Sequence, residues 1–99
     1  MILLQMIFDF DTDMMGSRLS ENGRPLAESL NRAEGFISKI WIENPETGKA
    51  GGIHLFDNME QAAVFAEEHK ERLISIGAFN VDVQYFNVNE PLSRINKGI

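Results

Sequence analysis

The chain contains two histidines, His54 and His69, and no cysteine. Neutral imidazole is therefore the one ordinary side-chain base near pH 7 that the sequence offers. His54 is the candidate base, with Ser38 and Phe56 as possible neighbours on the same sheet face. Trp41, the only tryptophan, could stack on an aromatic ring, and Tyr85 could donate to a ligand oxygen or fill an interface. Each also has a plainer reading: His54 as a half-buried sheet residue with a satisfied ring nitrogen, Trp41 as core. His69 falls on an apolar helical stripe near a helix C-terminus and reads as structural.

Other chemistries lack their residues. Neither histidine has a His-x-x-x-His or Glu-x-x-His companion, so no metal site is expected. Gly51-Gly52 lacks the spacing and the strand-to-helix setting of a phosphate loop, so no nucleotide cofactor is expected. Without cysteine there is no disulfide framework, thiolate catalysis or Cys-ligated zinc. A net charge of −6 and a pI near 4.8 argue against nucleic acid and anionic membrane partners. No apolar run approaches the ~20 residues of a membrane span. The apolar start Met1–Phe8 has no basic region before it, and the protein is expected to be cytoplasmic.

The elements that must position these residues are legible. Ninety-nine residues give a single domain over 1–99, with residues 89–99 as a C-terminal tail holding a short helical turn. Met1–Phe10 is apolar almost throughout and reads as a strand. Asp11, Thr12 and Asp13 end it and offer helix caps. Leu19, Leu26, Leu30 and Ala33 recur at helical spacing. Pro25 makes the first half ragged and the second firm, from about Arg24 to Ala33, with Gly35 as C-cap. Phe36–Glu43 and Ala50–Phe56 flank the turn Asn44–Gly48 as a hairpin. Gly51 and Gly52 weaken its second strand unless something needs their space. Asn58 and Gln61 suggest a capping box. It opens a helix with the stripe Met59, Ala62, Ala66, His69, Leu73 and a Glu68–Arg72 pair on the other side. Gly77 ends that helix, and Ala78–Val88 is the last strand. The order strand, helix, strand, strand, helix, strand predicts an α+β, ferredoxin-like βαββαβ domain: a four-stranded antiparallel sheet with both helices on one face.

That arrangement leaves a problem. Two helices cover one face, yet Met1–Phe10 and Phe36–Ile42 carry apolar residues on both parities. The exposed patch would be larger than a soluble monomer usually shows. A twofold-related copy is the simplest cover, so a homodimer is expected.

Three stretches resemble the YdhR-type family of putative mono-oxygenases. The first runs from Pro25-Leu26-Ala27-Glu28-Ser29-Leu30-Asn31 through Gly35-Phe36 to Lys39-Ile40-Trp41. The second is Ala50-Gly51-Gly52-Ile53-His54-Leu55-Phe56. The third and most specific is Asn87-Val88-Asn89-Glu90-Pro91-Leu92-Ser93-Arg94-Ile95-Asn96. The chain departs from the family at Ser38, where an aromatic is expected, at His54, where tyrosine is expected, and across Asp11–Gly23. The resemblance implies a dimeric α+β barrel of the antibiotic-biosynthesis mono-oxygenase type, two sheets packed face to face. It implies a cofactor-independent mono-oxygenase that uses O₂ on a small hydroxylated aromatic or quinol-like compound. In that role His54 would be base or hydrogen-bond partner, with Ser38, Trp41, Phe56 and Tyr85 as substrate-binding residues. The alternative is a non-catalytic carrier or sensor dimer using the same pocket.

Overall fold

Strand β1 (Ile2–Asp9) alternates strictly, with Ile2, Leu4, Met6 and Phe8 buried and Leu3, Gln5, Ile7 and Asp9 half-buried. One side of it therefore meets a core and the other meets something less complete. The structure, a computed structural model, describes every residue from Met1 to Ile99. β1 is central in a four-stranded sheet of order β2-β3-β1-β4, formed with β2 (Phe36–Asn44), β3 (Lys49–Phe56) and β4 (Phe79–Asn87), all neighbours antiparallel. This is the ferredoxin-like α+β order expected of two split βαβ units.

The first crossover is broken into pieces. Asp11 accepts from the Asp13 amide at 2.9 Å and caps a 3₁₀ turn over Thr12–Met14. Helix α1 (Ser17–Asn22) and helix α2 (Arg24–Leu30) then meet at Gly23, with Pro25 in the first turn of α2. Pro25 has no N–H to give, so the second helix starts where that donor is not needed. Gly35 does not cap α2, which ends at Leu30. Its φ of 77° instead turns the chain into β2.

Helix α3 (Met59–Ser75) is the second crossover. Asn58 accepts from the Gln61 amide at 2.9 Å, while the Gln61 side chain gives nothing back, so only the N-cap half of the capping box forms. Its inward stripe is Ala62, Phe65, Ala66, His69 and Leu73. Met59, expected on that stripe, is exposed. Arg72 does not pair with Glu68 but turns toward His69 and Phe65. Helix α4 (Glu90–Ile95), capped by Asn89, is the turn expected in the tail.

The two halves of the helix layer differ. α3 lies close on β1, β3 and β4 and closes a core with Leu4, Met6 and Phe56. α1 and α2 approach the β2 edge mainly through side chains such as Leu19 and Trp41. The other sheet face carries no helix. Leu3, Ile7, Ile53 and Leu55 are half-buried there, and Ile40 is 65% exposed.

Candidate active site

Which side chains of the β2–β3 hairpin face the helices depends on one irregularity. Phe36 pairs with Phe56, but Ser38 pairs with Leu55 and Lys39 with His54, so β2 bulges at Ile37. Beyond the bulge the odd residues Lys39, Trp41 and Glu43 share the helix-covered face with His54 and Ala50, their register partners and neighbours. Ser38 lies on the open face. The expectation that it neighbours His54 is corrected: the residue across from His54 is Lys39.

His54 is fully buried. Its Nδ1 lies 3.0 Å from the Leu4 carbonyl. A carbonyl only accepts, so Nδ1 carries the proton and Nε2 presents a lone pair. That Nε2 is buried with no protein partner, on the wall of a cavity of about 30 Å³ lined also by Lys39, Trp41, Gly52, His69 and Leu73. Gly52 makes this possible. A Cβ there would sit 2.5 Å from Lys39 Cε and 3.1 Å from His54 Nε2, so the two basic groups are neighbours across one missing methyl. The space Gly52 was expected to provide is occupied by chemistry.

His69 joins from α3. It is buried, its ring stacks on Phe65 at 4.9 Å, and it stands 5.8 Å from His54. The Arg72 guanidinium donates to His69 Nδ1 at 3.4 Å. The Lys39 ammonium lies 3.6 Å from the centre of the Trp41 ring, a cation–π contact. Four basic side chains thus converge from β2, β3 and α3. None of the four ion pairs in the chain includes any of them.

The electrostatics follow from that crowding. Burial, and then the Lys39 charge, push His54 down to about 4 against the Leu4 carbonyl, which pulls it up. Burial pushes His69 down to about 3, helped by Lys39, His54 and Arg72. Burial and the Arg72 charge bring Lys39 down to about 7. Near neutral pH both imidazoles are uncharged and Lys39 is near its midpoint.

A larger cleft of about 450 Å³ lies outside, between α1, α2 and the β2 edge. Leu19, Gly23 and Trp41 line both spaces, so the indole stands between the open cleft and the inner cavity. At the cleft Glu43 accepts from the Gly16 amide at 3.1 Å.

The structure therefore brings Trp41 and His54 together. Phe56 is further along the same face, fully buried against Phe36 and Phe65 rather than on the cavity wall. Tyr85 is half-buried on the helix-covered face of β4. Both it and His54 pair with Leu4, so β1 separates them. Burial, and then the Glu67 charge, hold its hydroxyl above the ordinary value. Lys39, His69 and Arg72 were not among the expected site residues. No three His, Asp or Glu side chains converge as metal ligands would.

A family model described as "Putative mono-oxygenase ydhR" matches residues 3–99. No curated protein matches the chain. Among solved structures, the chain is similar to a putative antibiotic biosynthesis monooxygenase from Deinococcus radiodurans. The TM-score is 0.66 at 9% identity, over 90% of this chain and 93% of that one. At that identity the likeness speaks for the fold alone.

Proposed function

Since the chain belongs to the ydhR family of putative mono-oxygenases, we propose that it is a cofactor-independent mono-oxygenase of small hydroxylated aromatic or quinol-like compounds. The observation that carries this reading is the His54 Nε2 lone pair, buried and unpartnered on a cavity wall. An activated methylene of the substrate gives its proton to that nitrogen. The electron-rich anion then reduces O₂. In the overall change CH₂ + O₂ becomes C=O + H₂O, so one oxygen atom stays on the ring carbon and the other leaves as water. Trp41 supplies the aromatic wall. Phe56 packs away from the cavity against Phe36 and Phe65, and Tyr85 and Ser38 also stand away from the base.

The reading includes a homodimer with the open sheet faces together. Leu3, Ile7, Ile53, Leu55 and Ile40 form an apolar surface that no element of this chain covers. Burying it stabilises a pair at roughly 25 cal/mol per Å² before the cost of association.

The test is O₂ uptake by the pure protein with hydroquinones and anthrones. Uptake above the uncatalysed rate, lost in His54→Ala, is the expected result. Equal rates for wild type, variant and buffer overturn the reading. Quenching of Trp41 fluorescence by the same compounds without O₂ uptake would assign a carrier instead.

A further inference from the structure

The chain is acidic overall, with a net charge of −6, yet its inner cavity is faced by basic groups. From β2 comes Lys39, from β3 His54, from α3 His69 with Arg72 behind it. The nearest carboxylate along that face of β2, Glu43, is held at the outer cleft by the Gly16 amide. Arg24, which also lines the outer cleft, is already paired with Glu28. Lys39 is half-buried, and an ammonium partly withdrawn from water without a counter-charge is costly. Burial and the Arg72 charge accordingly hold Lys39 down to about 7.

Size points the same way as charge. The inner cavity, about 30 Å³, takes about one water-sized atom. The outer cleft, about 450 Å³, is within the range of small-molecule pockets. Trp41 borders both.

We propose that the inner cavity is an oxyanion subsite, in which Lys39 receives the ionised hydroxyl of a phenol whose ring occupies the outer cleft against Trp41. Lys39 is then a binding residue distinct from the base. Its ammonium has three N–H groups, enough to hold the phenolate oxygen while the His54 Nε2 lone pair stays free. When the Lys39 amine is neutral, the phenol's proton passes to Nζ. When it is already charged, that proton leaves to solvent. No electron moves in the binding step. This inference rests on the proposed function only for where the ligand lies, and its test needs no turnover.

The probe is p-nitrophenol, which turns yellow on ionising near neutral pH. It is titrated from pH 5 to 9 with and without excess protein, following the phenolate absorbance. Bound nitrophenol should ionise at least one pH unit lower than free, a tenfold or greater preference for the anion. Lys39→Met should abolish the shift and Lys39→Arg should keep part of it. Trp41 quenching in each variant shows whether the ring still binds. An unshifted or upward-shifted ionisation of bound nitrophenol overturns the proposal, as does an unchanged shift in Lys39→Met or no binding at millimolar probe. O₂ uptake with a silent nitrophenol titration would remove the subsite and leave the mono-oxygenase reading. A shifted titration without O₂ uptake would do the reverse.

Discussion

The helix-covered face of the sheet and its open face differ in what each leaves without a partner. Beneath the helices, where apolar groups belong, the chain places two histidines and a lysine around a small cavity. On the open face, where polar groups belong, it places Leu3, Ile7, Ile53, Leu55 and Ile40. A monomer built only for stability would exchange them. The inner mismatch calls for an anion of atomic size and the outer one for a broad apolar surface. On the proposed reading, one face serves a ligand and the other a second copy of the chain.

Acid probes the inner face most strongly. His54 and His69 are depressed to about 4 and about 3 from an unfolded value near 6.5. Above pH 6.5 neither state binds their protons and the full stability is present. As pH falls from 6.5 toward 4 the unfolded chain protonates first, so stability drops, by about 3 kcal/mol through His54 alone. The urea midpoint should fall across this window, and less steeply in His54→Gln. Asp9, held low first by its hydrogen bonds to Lys49 and Asn80, loses its contribution only as pH falls below about 3.8. A flat midpoint between pH 6.5 and 4 would mean that the imidazoles are not buried neutral.

Ile53→Asp probes the open face. A carboxylate at the centre of the proposed interface should weaken the dimer at least a hundredfold, close to 3 kcal/mol, read as halved mass in sedimentation. Wild type already running as a monomer at micromolar concentration would break the comparison on this side.

Lys39→Met sharpens the inner face from the other direction. Removing an unpaired ammonium should raise stability at pH 7 by about 1 kcal/mol, or roughly 4–8 °C in Tm for a domain of this size, while oxyanion binding is lost. A fall in Tm would show that Lys39 contributes to packing rather than opposing it. Asn58→Ala serves as a control on neither face. Loss of its cap on α3 should cost about 1 kcal/mol without changing dimer mass or the nitrophenol shift.

The fold was legible because the apolar pattern is strong where it matters. The near-continuous apolar run of β1, turn residues at Asn44–Gly48 and the α3 stripe are local signals that tertiary packing then agrees with. The surplus of apolar residues on the second sheet face was equally visible. The site was half legible. His54 and Trp41 stand out by type, and both line the cavity. Reading parity forward from Phe36 put Ser38 beside His54. Counting outward from the Asn44–Lys49 end of the hairpin instead pairs Lys39 with His54, and that count was the missed signal. His69 was visible as inward-facing. Its meeting with His54 depends on how α3 crosses the sheet, which no local pattern encodes.

The bulge at Ile37 has an evolutionary reading. It lets β2 run in two phases, one locked to Phe56 at its start and one locked to the hairpin turn over the rest. A length change at the bulge can be absorbed where it occurs, leaving Lys39 aimed at its cavity. A one-residue change in the Asn44–Lys49 turn has no such buffer, since it would send Lys39 and Trp41 to the opposite face. The hairpin therefore has one tolerant joint and one forbidden one, and divergence among relatives of this chain should collect at the former.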